Sequence, residues 1–266
     1  MSVIAHKNTI LLKELVKTDF KLRYQGSVLG YLWAVLRPLL MFAILYIVFA
    51  KVLRFGGDIP HYPVYLLVGT VLWSFFAECT GQGIHSIEQR GDLIRKINFP
   101  KYIVVVSATS TAVINLLINL CVVVVFALLN GVEISWSWLL VLPSVIELYV
   151  LALGISLLLG TINIKFKDIG SIWDVLLQAM FYAVPVIYPI TMVTAVSPAI
   201  AGIILTNPIA QVIQDVRYNM ITKETVISWG YTGIWWSLAS ILIVVVVMVL
   251  AVLYFRKKSP YFAEEV

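Results

Sequence analysis

Charge is what this chain has least of. Asp, Glu, Lys and Arg supply 12% of its 266 residues, about half the share in a soluble domain. Five stretches carry none of the four: Ile59–Ala77, Tyr102–Val132, Leu148–Ile164, Val175–Gln214 and Thr225–Phe255. A bilayer-spanning helix needs about 20 such residues, so the sequence reads as an all-α integral membrane protein. Six spans of roughly 20 residues use about half the chain, which leaves no room for a fused ATPase, a cytosolic catalytic domain or a large extracellular module. Cysteine is scarce too. Cys79 and Cys121 lie in apolar sequence without a C-x-x-C, which excludes a disulfide framework and makes them small buried hydrophobes. His6, His61 and His85 are far apart, so neither a metal site nor a histidine proton relay is indicated. The motifs G-x-x-x-x-G-K-[ST], H-E-x-x-H and G-x-S-x-G are missing, so no catalytic residue is assigned. Energy for work has to enter from a partner or an ion gradient. No small-residue cleavage site follows the first apolar stretch, and the N-terminus is expected to be retained.

What is present is apolar sequence, 61% of the chain, with a net charge of +5. On a soluble protein that excess would suggest nucleic acid; here it reflects topology, and no nucleic-acid partner is expected. A single transmembrane domain, 1–266, is expected. It opens with an amphipathic interface helix over 8–24, where Leu11, Leu12, Leu15, Val16, Phe20 and Leu22 share one half-circle and Lys13, Glu14, Lys17, Thr18 and Lys21 fill the other. Ile10 and Asp19 are exceptions. The lysine stripe suits an anionic headgroup layer; the alternative is a solvated helix packed on a neighbouring subunit. Six spans are expected at Leu29–Val52, Pro63–Gly81, Tyr102–Leu129, Trp136–Ile162, Ile172–Tyr188 and Ile234–Phe255. Between the fifth and sixth, 191–228 is broken by prolines and loaded with charge, so it reads as short re-entrant or interfacial helices. One of these opens with Asn207-Pro208, a cap followed by proline at the first helical position. It places Ile209, Val212, Ile213 and Val216 on one face and Gln211, Gln214, Asp215 and Arg217 elsewhere. Putting both termini inside places fifteen of the 19 Lys and Arg residues on the cytoplasmic side and leaves Lys51, Arg54, Arg217 and Lys223 outside. Trp136, Trp138, Trp229, Tyr231, Trp235 and Trp236 then gather at the outer interface. The expected location is a cell membrane, crossed several times.

Two ionisable residues fall well inside spans, Arg37 and Glu147, while Glu78 and Asp174 lie near inner ends. An intramembrane charge costs roughly 2.5–3.5 kcal/mol on insertion scales and normally faces a cavity or partner. The pair reads either as pathway lining or a coupling acid, or as a snorkelling arginine and a hydrogen-bonded structural glutamate. The longest inner loop is 83–101. Gly91 breaks the chain, Asp92 can cap, and Leu93-Ile94-Arg95-Lys96-Ile97 forms one or two turns before Phe99-Pro100 stops it. Apolar Leu93, Ile94, Ile97 and Phe99 displayed among charges suit a groove on a soluble partner or the lipid headgroups. Ser171 with Asp174 resembles a capping box at the start of span five.

Several segments are familiar. Leu12-Lys13-Glu14-Leu15-Val16-Lys17-Thr18-Asp19-Phe20-Lys21-Leu22-Arg23-Tyr24, then Leu29-Gly30-Tyr31-Leu32-Trp33 and Arg37-Pro38-Leu39, resemble the start of the membrane subunits of polysaccharide ABC exporters. Arg95-Lys96-Ile97-Asn98-Phe99-Pro100-Lys101 resembles that family's coupling-helix segment, and Asn207-Pro208 with Gln214-Asp215-Val216-Arg217-Tyr218 its outer-gate segment. Within the family the pattern is most similar to permeases exporting rhamnose-rich cell-wall polysaccharide in Gram-positive cocci; teichoic-acid and O-antigen exporters are more distant. The resemblance implies a homodimer bound to two copies of a cytosolic ATPase, which holds ATP and magnesium while this chain binds no cofactor or metal. It implies export of an undecaprenyl-diphosphate-linked polysaccharide, with membrane lipids around the dimer. It implies ATPase docking through Leu93, Ile94, Arg95, Lys96, Ile97 and Phe99, and a channel lined by aromatics, for which Tyr31, Trp33, Trp73, Phe181, Tyr182 and Tyr188 are candidates. Lipid-facing or core positions are the alternative for each ring. An ion-coupled secondary transporter using Arg37 and Glu147 is a competing reading, although such proteins carry interrupted helices in corresponding halves and only one interrupted region is visible. A scaffold or lipid-modifying enzyme is a third, weakened by the lack of any acid, base or nucleophile cluster.

Overall fold

The computed structural model describes residues 2–25, 28–54 and 59–265, and the described residues are helical with no strand. Helix α1 (Ser2–Tyr24) leads through a 3-10 turn into α2 (Trp33–Leu45), which widens into a π-helical turn over Tyr46–Val52. Then come α3 (Tyr62–Gln89), the short α4 (Gly91–Lys96), α5 (Tyr102–Leu129), α6 (Val141–Lys165) and α7 (Ile169–Ala183). Three short helices follow: α8 (Ile190–Val196), α9 (Pro198–Thr206) and α10 (Pro208–Met220). The chain ends in α11 (Ser228–Thr232), α12 (Ile234–Lys258) and α13 (Phe262–Glu265). Among the described residues five helical segments are long and apolar enough to cross a membrane: Gly30–Val52, Tyr62–Gln89, Tyr102–Leu129, Trp136–Lys165 and Ser237–Glu265.

The fifth expected span is shorter than the sequence implied. Helix α7 ends at Ala183, because Pro185 lacks an N–H and pushes Val184 into extended backbone, φ −87° and ψ 141°. Its 15 residues reach about 22 Å at 1.5 Å each. The second span is longer: α3 continues to Gln89, so 83–89 is helix and the inner loop narrows to the segment around α4. Helix α1 begins before residue 8 and packs along α5 with Leu15 buried and Lys13, Lys17 and Lys21 exposed. Asp19, the exception on its apolar face, accepts hydrogen bonds from Arg90 and from Ser107 Oγ. Helices α9 and α10 together are apolar enough for one span but meet at 98°. Neither Asp92 nor Ser171 caps a helix: α4 and α7 follow Arg90 and Asp168 with no side-chain cap, and Asp92 instead pairs with Arg95 at 3.0 Å. Trp136, Trp229 and Trp235 are exposed and Trp138 half-buried, while the side chain of Trp236 lies outside the described residues.

Helix α3 is the axis of the bundle, packed against α5, α6, α2, α7 and α10. Lipid offers no hydrophobic drive for helix pairing, so such contacts depend on close backbone approach over small residues. Gly83 of α3 lies against Ser156 of α6, and a Cβ on Gly160 would stand 3.0 Å from the Gly83 carbonyl oxygen. Gly81, two residues away, has open space where its side chain would be. Gly83→Ala should therefore cost about 1–3 kcal/mol through overpacking, whereas Gly81→Ala should be neutral or slightly stabilising. Thermal unfolding midpoints of the two variants in the same detergent check this.

Candidate functional site

A groove of about 900 Å³ runs along α3 between α2, α5 and α7. Its chemistry changes along its length. At one end Glu78 Oε1 accepts from Arg23, from Gln82 Nε2 at 3.1 Å and from Asn115 Nδ2 at 2.6 Å. Asp174 of α7 lies in the same wall, next to Trp173, whose Nε1 donates to Thr80 Oγ1 at 3.0 Å. Further along, Arg37 of α2 lines the groove, exposed and with no ion pair among the described residues. Asn119 Nδ2 donates to the Ala34 carbonyl at 3.0 Å and thereby ties α2 to α5. Beyond Arg37 the walls turn aromatic. Trp73 meets Phe181 edge-on at 5.8 Å, and Phe181 meets Tyr182 edge-on at 5.3 Å. Edge-to-face pairs of this kind hold rings in place with about 0.5–1.5 kcal/mol each.

The groove stops short of a buried layer centred on Arg217, which is 0% exposed. The break in α7 leaves the carbonyls of Pro185, Val186 and Ile187 without helical donors, and in lipid each unpaired group would cost several kcal/mol. Arg217 Nη1 donates to Pro185 O at 2.6 Å and to Gln214 Oε1 at 3.0 Å, Nη2 donates to Val186 O, and Nε donates to Tyr65 O at 3.1 Å. Its guanidinium lies 3.6 Å from the Tyr65 ring centroid. Tyr62 Oη donates to Ile187 O at 2.9 Å and Tyr65 Oη to Gln214 Oε1 at 3.2 Å. Gly69 leaves room for this head group, since a Cβ there would collide with it. Helix α10 carries Arg217, and Asn207 caps it by accepting from Ile209 N at 2.9 Å. The cap is as the sequence indicates, but the polar residues of α10 are not solvated. Gln211, Gln214, Arg217 and Asn219 are all buried.

The sequence candidates divide accordingly. Trp33, Trp73, Phe181, Tyr182 and Arg37 come together in the groove. Tyr31 stacks on Phe20 of α1 at 5.3 Å, and Tyr188 Oη donates to the Ala183 carbonyl at 3.1 Å, so neither lines it. Glu147 of α6 is half-buried, outside the groove and within electrostatic reach of Asp215, whose Oδ1 accepts from Ser228 Oγ at 2.6 Å. Ile94 of α4 and Phe99 just beyond it are not displayed. They are 2% and 7% exposed and belong to an apolar cluster with Leu15, Ile87, Ile103, Phe255 and Phe262. Leu93 is half-buried, so the exposed face of the α4 segment is Asp92, Arg95, Lys96, Ile97 and Asn98. Arg217, placed by the sequence on the outer side and within the segment that resembles an outer gate, is fully buried, and the sequence reading did not anticipate that burial. The available signal was a proline-broken span followed by a helix whose amides and arginine had no other buried carbonyls to serve. Among the described residues no three His, Cys, Asp or Glu side chains gather as a metal site.

Residues 10–221 match the family model described as ABC-2 type transporter. The chain is 31% identical over 255 residues to an O-antigen export system permease protein of Klebsiella pneumoniae, an alignment covering 96% of this chain and 94% of that protein. It is 32% identical over 183 residues to an O-antigen export system permease protein of Myxococcus xanthus, covering 69% and 70%. A polysialic acid transport protein of Escherichia coli is 20% identical over 216 residues, covering 77% and 79%.

The Arg217 layer predicts a graded series. Arg217→Ala strands several buried carbonyls at about 1–3 kcal/mol each and should unfold the protein or lower its midpoint steeply. Arg217→Lys keeps a donor but not the planar fork, so it should fall between the alanine variant and the wild type. Thermal unfolding in detergent orders the three.

Proposed function

Since the chain belongs to the ABC-2 type transporter family, we propose that it is the membrane subunit of an ATP-driven exporter that moves a polysaccharide outward across the cytoplasmic membrane. Two copies face each other across their grooves, and two copies of a separate ATPase bind at the α4 end and supply ATP hydrolysis with magnesium. Both termini are cytoplasmic. The substrate is linked to undecaprenyl diphosphate and rich in rhamnose; the finer assignment rests on the segments around Arg37, Arg95–Lys101 and Gln214–Tyr218 that resemble such permeases. The curated relatives, named for O-antigen export and polysialic acid transport, support the polysaccharide class.

The observation that carries this reading is the groove. Sugars present apolar ring faces between hydroxyl edges, and rings such as Trp33, Trp73, Phe181 and Tyr182 match those faces without fixing a polymer at one point. Charged rings of residues would instead select ions. An ion-coupled transporter would need Glu147 on the pathway, and it lies outside the groove lining.

Trp33 and Tyr182 are 41% and 67% exposed, so they can be removed without opening the core. The double variant Trp33→Ala/Tyr182→Ala should lower ATP-dependent export about tenfold, the scale of two lost ring contacts, while ATPase copurification and thermal midpoint hold. Wild-type export from the stable double variant assigns these rings to packing.

Docking is tested on the exposed face of α4. Ile97→Asp should weaken ATPase copurification about tenfold or more, as for a hot-spot residue, with the membrane subunit still inserted. Ile94→Asp is a different experiment, because it buries a charge in the cluster beneath α4 and should destabilise the subunit itself.

A further inference from the structure

Helix α4 has six residues, far fewer than the roughly 12–15 at which an isolated helix begins to persist in water. At its ends Ile94 N is bonded to Arg90 O at 3.0 Å and Ile97 N to Leu93 O at 3.1 Å. Its shape must be imposed from outside. Two parts of the chain remote in sequence supply the contacts. From α1, Asp19 accepts from Arg90, the residue on which α4 starts, and holds it to Ser107 of α5. From beyond α12, the helical turns over Ser259–Tyr261 and Phe262–Glu265 fold back so that α13 packs on α4 and α6.

The contact that closes this arrangement is Phe262. It is 0% exposed, although Tyr261 and Ala263 beside it are open to solvent. Its ring meets Phe255 of α12 edge-on at 5.3 Å and shares a cluster with Ile94. Phe262 therefore packs in the apolar cluster that Ile94 of α4 enters, whereas Ile97 is 50% exposed.

We propose that Phe262 is a positioning residue: the strap it anchors sets the angle at which the exposed face of α4 meets the ATPase. The inference rests on the docking assignment of α4 and adds the element that makes docking geometrically defined. A six-residue helix without that support would fray. Motion of the ATPase would then be absorbed by α4 instead of passing to α3.

The test uses the full-length chain with the ATPase that copurifies with it, in the variants Phe262→Ala, Phe262→Leu and Ile97→Asp. Hydrogen–deuterium exchange over residues 91–97 reads the support of α4, and titration of the ATPase reads docking. In Phe262→Ala, exchange over 91–97 should rise about tenfold or more while α3, α5 and α6 stay protected, and ATPase affinity should drop about tenfold. Phe262→Leu, which refills most of the space, should restore both readings to within about threefold. Unchanged exchange over 91–97 in Phe262→Ala overturns the proposal. So does faster exchange with undiminished ATPase affinity when Ile97→Asp has lost it. If Ile97→Asp binds the ATPase like wild type, the docking reading of α4 is what fails, and the positioning role falls with it even if exchange shows the strap in place.

Discussion

A cation without a carboxylate partner organises the structure. Among the described residues the guanidinium of Arg217 is satisfied by three backbone carbonyls, an amide oxygen and the face of a tyrosine. A helix that breaks inside a membrane must find donors for the carbonyls it frees, and a buried arginine must find acceptors for its five N–H groups. Each demand answers the other. The break after Ala183 is tolerable because α10 brings Arg217 to it, and Arg217 is tolerable because the break supplies oxygens. Gly69 and Tyr65 then fix where α3 must pass. The groove lining stops short of the place where these requirements meet.

Helix α3 carries that layer near its start and ends beside α4. Its 28 residues extend about 42 Å as a single helix, longer than the hydrocarbon core. At one end it packs against Arg217 and the broken α7. At the other it is buttressed by Asp19–Arg90 and the cluster around Ile94 and Phe262. Between them Gly83 and Gly160 leave almost no slack against α6. A rigid rod with both ends gripped transmits a tilt better than a chain of short helices, which couples the α4 end of α3 to the layer around Arg217.

Long apolar segments were readable in the sequence because hydropathy dominates a helix in a bilayer, and the five long helical segments lie close to five of the six expected spans. Ends were less readable. The second span was expected to end at Gly81, but the helix runs on to Gln89, and Gly83 is small because α6 packs against it. The apolar residues of α4 were correctly seen as unusual for a loop, yet sequence periodicity could not tell that Ile94 and Phe99 face inward onto α1 and α13, elements distant along the chain. The groove aromatics were legible as a composition but not as an address: Trp33, Trp73, Phe181 and Tyr182 meet only because α2 and α7 flank α3, whereas Tyr31 and Tyr188 of the same composition turn elsewhere. The burial of Arg217 was not legible for a general reason. Charge counting assumes that a cation outside a long apolar run is solvated, and here its partners are carbonyls from an element about thirty residues earlier.

The shortness of α7 has a consequence for the lipid around it. Its length of about 22 Å falls about 8 Å short of a typical hydrocarbon core, and the extended residues that follow turn inward to Arg217 and offer no apolar rod to the lipid. Hydrophobic mismatch on this scale is relieved by local thinning of the bilayer, by snorkelling or by association with another chain. The mismatch sits beside the groove, because α7 forms one of its walls. Lipid bordering that wall would have to thin to match it unless another protein surface covers it, so the short wall favours cover by protein over cover by lipid.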